Sequence, residues 1–343
     1  PLSLEGIMNW RSVLFQKPQH NSILQQGFTA VDLHNHSEYS DTTTPITSIA
    51  QKARKQGIGL SLTDHNEVAG NIKLAQDNPD LLVVPGLEIT TKEMAHVLTY
   101  FYSHDEMQDF FDTHIKDSRG GNPNLATKVS VTDLLDITKD YNCVIAPAHP
   151  FAFPKRFSFI SAMERGFVDK RVLKSLHGVE VICGANLRYM NHCAVDWAEE
   201  LDKATIGGSD AHTISSLGSV VTVSEGSTVE EVLNAIKKKK TSVVGSEAKF
   251  YQRPLPLAKI ASCHLRYFKP TMQTQYEISV KTPFVNTKKL LAKRFGPEKR
   301  EEMRDGFVSG LDALSDELHF RGYPKIEKPL FVRKMQRVLR REE

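Results

Sequence analysis

Val31-Asp-Leu-His-Asn-His-Ser-Glu-Tyr-Ser-Asp41 sets two imidazoles two residues apart at the end of a short apolar run with strand character. Residues i and i+2 of a strand point to the same side, so His34 and His36 can face one ion. Imidazole suits zinc, iron, manganese and similar metals, and the nearby carboxylate of Asp41 suits a harder or shared ion. Taken alone, the pair reads equally well as two solvated or core-capping histidines. The rest of the chain has to decide.

Outward from this stretch a rhythm begins at Thr29. Apolar runs at 29–33, 58–62, 81–84, 96–101, 143–146, 178–182, 204–207 and 218–223 are separated by segments that often read as helices, which predicts α/β architecture with a largely parallel sheet. The helices carry their own punctuation. Thr44 and Pro45 read as an N-cap and a first-turn proline, with Ile46, Ile49, Ala50 and Ala53 as the buried face and Gly57 as the stop. Ser130 with Asp133 and Thr228 with Glu231 have capping-box spacing. The Lys237 to Lys240 run complements a helix C-terminus better than it makes a nucleic-acid patch. Trp10, Val13, Leu14 and Phe15 suggest a short amphipathic segment, and Arg253-Pro-Leu-Pro256 reads as a linker before helical stretches at 288–295, 297–319 and 329–341.

Composition narrows the class. With 343 residues, 25% of them charged, the chain can bury a sizeable core, and no apolar run is long enough to cross a bilayer. Residues 1–5 lack the basic start and apolar core of a secretory signal. Cys143, Cys183, Cys193 and Cys263 form no C-x-x-C pair, and the first two lie in apolar runs where a thiol acts as a small hydrophobe, so a reducing, cytoplasmic compartment is expected. The net charge of +3 conceals an asymmetry: residues 249–343 hold 21 Lys and Arg against 11 Asp and Glu. A basic section on an acidic body suits a polyanionic partner, although a solvated helical surface gives the same count.

Groups able to bind metal recur at the edges of the apolar runs. The first ends in His34-Asn-His36, the second in Thr63-Asp-His65, the third carries Glu88 and the next opens with His96. Val144-Ile-Ala-Pro-Ala-His149 adds an imidazole, and Thr205-Ile-Gly-Gly-Ser-Asp-Ala-His212 ends in a D-x-H. Parallel barrel strands would bring such groups to one face, where, without cations, they would repel one another or stay unsatisfied. Asp64 is better suited to orienting an imidazole or capping a helix than to binding metal. His20, His104, His114, His177, His192, His264 and His319 have no comparable placement and read as surface or core residues.

In their order and spacing, D-L-H-N-H-S-E-Y-S-D, L-T-D-H, P-G-L-E, H-V-L, P-A-H-P and G-G-S-D-A-H resemble the motifs of the polymerase and histidinol phosphatase (PHP) superfamily across residues 29–245. The resemblance implies an α/β fold, a distorted (β/α)7 TIM-like barrel. The phosphoesterase domain would be 29–249, with 1–28 an extension packing on the barrel and 250–343 a basic, mainly helical region. It implies two or three divalent ions, manganese, zinc or iron. His34, His36 and Asp210 would hold the first, Glu88 would bridge it to a second completed by His96 and His149, and His65, His212 and Asp41 would hold a third. Relatives with S-D-G at this place have glycine after the aspartate; Thr42 here implies a different turn around Asp41.

The implied activity is metal-dependent hydrolysis of a phosphate ester, with the water activated by metal rather than by a protein base. A nucleotide or short oligonucleotide is the expected substrate, and short single-stranded nucleic acid a further partner of the basic section. Asn186, Arg188, Lys155 and Arg156 are the candidate substrate contacts, and each reads equally as a surface polar residue. Other readings stay open: a histidinol-phosphate-type phosphatase, an amidohydrolase-like barrel, and a decayed structural or polymerase-associated PHP module. The bridging Glu88 and the D-x-H pair fit an amidohydrolase less well, and decay would have removed ligands that all stand here.

Overall fold

The computed structural model describes residues 10–248 and 254–265 together with Tyr267 and Lys269. The chain divides into two units, Pro1–Thr274 and Gln275–Glu343, and every described residue lies in the first. The helices expected at 288–295, 297–319 and 329–341 fall outside the described residues.

The strands are β1 (Val13–Leu14), β2 (Thr29–Asn35), β3 (Gly59–Leu62), β4 (Gly86–Thr90), β5 (His96–Phe101), β6 (Cys143–Pro147), β7 (Gly178–Cys183), β8 (Ala204–Gly208), β9 (Val220–Ser224) and β10 (Ser242–Gly245). They pair into a five-stranded sheet in the order β1-β10-β9-β2-β3, a three-stranded sheet β4-β5-β6 and the pair β7-β8. Helices alternate with them, so the α/β class is observed.

The largely parallel sheet is not. Pairs β1–β10, β2–β3 and β7–β8 are parallel, but β9–β10, β2–β9, β4–β5 and β5–β6 are antiparallel. The hydrogen-bonded ladders do not close into a barrel. Only residues 91–95 connect β4 to β5, far fewer than a parallel crossover needs, so the chain must turn back on itself. Apolar runs report that a strand is buried, not which way it points.

Several boundaries also differ. Pro85 cuts the 81–84 run short of a strand, leaving one bridge between Val83 and Leu60, and β4 starts after it. Thr44 does not cap the helix Ile46–Gln56: Pro45 is the capping residue, and the Thr44 hydroxyl turns to the His212 carbonyl at 3.5 Å. Gly57 ends that helix with φ 64°, and both capping boxes are present. The Trp10–Phe15 segment contributes β1, with Val13 beside Val243. Arg253–Pro256 is not simply a linker, because Pro254 opens the helix Pro254–Leu265, whose first turn has no intrahelical N–H bond to lose.

The strands converge on a buried layer that includes Val31, Leu33, Leu98, Tyr100, Val144, Ala146 and Ile206, with the Tyr100 hydroxyl donating to the Leu33 carbonyl at 2.8 Å. Removing such side chains from water contributes about 1.5–3 kcal/mol for each large residue. Above this floor, single bridges tie Asn35 to Ala211 and His65 to Glu88, so the sheets meet where the motif residues lie. Gly208 allows β8 to approach β2, since a Cβ there would overlap the Cβ and backbone nitrogen of His34. Among the described residues, no helix is long and apolar enough to cross a membrane.

Candidate metal centre

The motif histidines and carboxylates come together at these strand ends. His34 and His36 leave β2 fully buried, and Glu88 stands in β4 with no exposed surface. His96 is the first residue of β5, not a residue beyond a strand end. Antiparallel pairing sets it opposite Thr90, which brings the start of β5 to the same edge as the end of β4. His149 follows β6, and Asp210 and His212 follow β8.

Glu88 lies at the middle. Its Oε1 is 2.9 Å from His96 Nδ1 and 3.1 Å from His149 Nε2, while Oε2 is 3.0 Å from His65 Nδ1, 3.4 Å from His34 Nε2 and 3.5 Å from His36 Nε2. Asp210 Oδ1 approaches His36 Nε2 at 3.1 Å and His34 Nε2 at 3.6 Å. Asp41 Oδ2 lies 3.1 Å from His212 Nε2 and 3.5 Å from His65 Nε2. Among the described residues, potential donor atoms fall into four overlapping groups: His36 with Asp41, His65 and His212; His34 with His36 and Glu88; His34 with His149 and Asp210; and His65 with Glu88 and His96.

These residues fit divalent metal on an internal criterion. His34 Nε2, both nitrogens of His36, Glu88 Oε2, His96 Nε2 and His149 Nδ1 are buried without a hydrogen bond of acceptable geometry, close approaches such as Asp210 to His36 notwithstanding. Leaving a buried polar atom unpaired costs about 1–3 kcal/mol. Imidazole nitrogens and carboxylate oxygens aimed at shared space are the donors that transition metals take.

The electrostatics agree. Burial would raise the Glu88 carboxyl, yet His96, His65 and His34 hold it well below the usual carboxylate range. Burial also opposes charge on Asp41 and Asp210; His212 and His65 keep the first well below its ordinary value, and His34, His36 and His212 the second. Burial depresses His96 to about 4 and lowers His36, which also faces the positive His212. His212 goes the other way, to about 9, because Asp41 and Asp210 outweigh its burial.

The backbone is specialised here as well. His149 has φ 27°, Asp210 φ 49° and Asn66 φ 50°. Such left-handed conformations are sparsely populated by non-glycine residues and persist where the surroundings impose them.

Two buried carboxylates escaped the sequence reading. Glu180, inside β7, accepts a hydrogen bond from His34 Nδ1 at 2.8 Å and one from the His149 backbone N–H at 2.5 Å. It thereby orients one ring and one backbone of the centre, as carboxylates behind metal-binding imidazoles do. The available signal was an acid in an otherwise apolar run, Val179-Glu-Val-Ile182. Asp32 receives the backbone N–H groups of Ser209 and Gly218 and the Ser209 hydroxyl, and burial pushes it up to about 6.

Among the described residues, Asp64 is bonded to no imidazole and caps no helix. It accepts from the Ser37 N–H and from the Ser37 and Ser40 hydroxyls, bracing the loop that carries Asp41. Thr42 donates to the His212 carbonyl at 2.7 Å, so the residue in place of glycine ties that loop to the D-x-H segment. Cys143 sits in the apolar core, but Cys183 is more than a hydrophobe, its thiol lying 3.5 Å from Asp210 Oδ2.

Of the candidate substrate contacts, Lys155 and Arg156 are exposed on a loop whose Phe157 ring lies 5.0 Å from the His96 ring, with the Arg156 guanidinium over Phe157. Arg188 pairs with Glu247 and covers Phe15. Asn186 is buried just after β7, its N–H on the Cys183 carbonyl.

Residues 188–241 match the family model described as PHP-associated. Among solved structures, the chain is similar to PsfC from Pseudomonas syringae at 17% identity and a TM-score of 0.50, over 69% of this chain and 98% of that one. It is also similar to a lesion-specific endonuclease from Pyrococcus furiosus at 17% identity and a TM-score of 0.49, over 63% of this chain and 57% of that one. A two-domain protein from Bacteroides vulgatus containing a predicted PHP-like metal-dependent phosphoesterase matches at 17% identity and a TM-score of 0.46, over 72% and 73%. At these identities the likeness concerns the fold alone. No curated protein matches the chain in sequence.

Proposed function

We propose that this chain is a PHP-type metal-dependent phosphoesterase. The observation that carries the reading is the convergence of six imidazoles and three carboxylates from the motif positions, several with buried donor atoms otherwise unpaired. His34, His36, Asp210 and Glu88 would hold a first ion, Glu88, His96 and His149 a second, and Asp41, His65 and His212 a third. Divalent ions in such a site polarise phosphoryl oxygens and lower the pKa of water, which removes the need for a protein base.

The chain's own residues do the positioning. Glu180 fixes the His34 ring through Nδ1 and leaves Nε2 facing Glu88 and Asp210. Asp64 and Thr42 hold Asp41 beside His212. The Phe157 ring walls one side at His96, with Arg156 and Lys155 on the exposed face of the same loop, where cations meet phosphate. Exposed cations beside an aromatic favour a nucleotide or short oligonucleotide as substrate.

The strands are read as a distorted barrel over 29–249, supported by packing of β3 on β4, β6 on β7 and β8 on β2 between the paired sheets. The test joins elemental analysis to phosphate release from a panel of esters with manganese or zinc. Metal-dependent release that His34→Ala abolishes is the expected result. If metal-replete protein and His34→Ala are equally inert, the chain is not a phosphoesterase.

A further inference from the structure

One histidine that the sequence places with the ordinary ones is bonded to a loop that is tied to the residues beside His65 and Asp41. His264 sits near the end of the helix Pro254–Leu265, partly buried, with Asn122 Nδ2 at 2.9 Å from its Nδ1. Asn122 is itself 1% exposed and belongs to a short loop fastened to the metal-binding segments from two sides. Asn66, next to His65, donates to the carbonyls of Pro123 and Leu125 at 2.8 and 2.9 Å. Asn124 donates to the carbonyl of Ser40, next to Asp41, at 3.1 Å.

That network settles the direction of the hydrogen bond. Asn122 Oδ1 is taken by the Asn124 N–H at 3.1 Å, so its amide nitrogen is the atom facing His264. An amide nitrogen only donates, so Nδ1 accepts and the proton of the neutral ring sits on Nε2. Burial lowers the His264 pKa and favours the neutral ring, and the charges of Asp41, His65, His212 and Arg156 all act on it, which agrees with a position beside that end of the centre. Among the described residues no partner takes the Nε2 proton.

We propose that His264 is a substrate-positioning residue: its Nε2–H donates to a phosphate oxygen at the Asp41–His65–His212 end of the centre, with Asn122 holding the ring in that tautomer. The helix Pro254–Leu265 would thus add one donor to the site formed by the motif residues. A packing or helix-capping histidine would need no such fixed donor. The inference rests on the phosphoesterase reading for its substrate but can be tested apart from it.

The full-length, manganese-loaded chain and its His264→Ala and His264→Gln variants are compared in three measurements: inorganic phosphate affinity by calorimetry, kcat and KM on the best ester of the screen, and metal content. His264→Ala is expected to weaken phosphate binding and raise KM about tenfold, the size of one hydrogen bond to a charged oxygen, with kcat changed less and metal content unchanged. His264→Gln, whose amide nitrogen can stand where Nε2 stood, is expected to recover most of the loss. Unchanged phosphate affinity in His264→Ala overturns the proposal, as does a loss that accompanies metal loss and that Gln does not recover. If the wild-type chain releases no phosphate yet binds it in a His264-dependent way, the hydrolytic reading fails and the positioning role stands. If esters are turned over identically with and without His264, only the positioning role fails.

Discussion

The two ends of the centre are built differently. At the His34 end the imidazoles leave strands, and the carboxylate that holds the His34 ring, Glu180, is buried inside another strand, β7. At the Asp41 end the carboxylate lies on a loop held by hydroxyls and amides: Ser37 and Ser40 on Asp64, Thr42 on His212, Asn124 on Ser40. Glu180 holds a ring from inside a strand, whereas the buried Asp64 carboxylate holds the loop's hydroxyls and one N–H, and the bonds from Thr42 and Asn124 join neutral groups, which are individually weaker than bonds to a carboxylate. The difference teaches that the deep end is set by the scaffold, whereas the Asp41 end is set by a loop that can vary in its turn, as Thr42 in place of glycine does.

The largest expected test of that contrast is pH. In the metal-free chain Asp41 and Asp210 raise His212 to about 9, so metal entering the Asp41 end must displace a proton there. Manganese affinity at this end should fall about tenfold per unit on acidification from pH 8 to 6, with proton release on loading. The stability of the metal-free fold should run the other way. A raised folded pKa contributes stability that is complete below the ordinary value of 6.5 and is lost as pH rises through about 9. Manganese titration by calorimetry in buffers of different ionisation enthalpy, with thermal melts of the stripped protein, checks both signs. A pH-independent affinity would mean that the Asp41–His212 pair is not what metal replaces.

Next in size is Glu180→Gln. Its amide leaves the His34 ring and the His149 N–H without a charged acceptor, and the expected loss is about 10–100-fold in metal affinity at the deep end. The Asp41 end should load as before. A uniform loss across all ions would erase the distinction between the two ends. The smallest effect belongs to Thr42→Ala, which deletes one hydroxyl bond to the His212 carbonyl and should cost about 1 kcal/mol in thermal or urea unfolding. A much larger cost would show that the loop is as rigidly specified as the strands.

Most of the candidate metal-binding residues are legible in the primary sequence because they follow local rules. The i, i+2 spacing of His34 and His36 and of Asp210 and His212, placed against apolar runs, requires only a strand end to acquire meaning. The α/β alternation and both capping boxes are equally local. Glu180 was harder because an acid within Val179–Ile182 looks like a strand residue until β7 is placed beside His34. The direction of β5 was hidden for another reason: an apolar run has the same composition either way, and only the length of the 91–95 connection betrays the reversal.

What the amino-acid sequence determined by itself is the chemistry, imidazoles and carboxylates at the edges of buried runs, because ligand type and strand periodicity are properties of neighbouring residues. What only the tertiary structure decided is the company these groups keep. Glu180 behind His34, Asp64 under the Asp41 loop and Asn122 against His264 join residues 146, 24 and 142 positions apart. Such pairings are set by how strands and loops pack in space, and no local pattern carries that information.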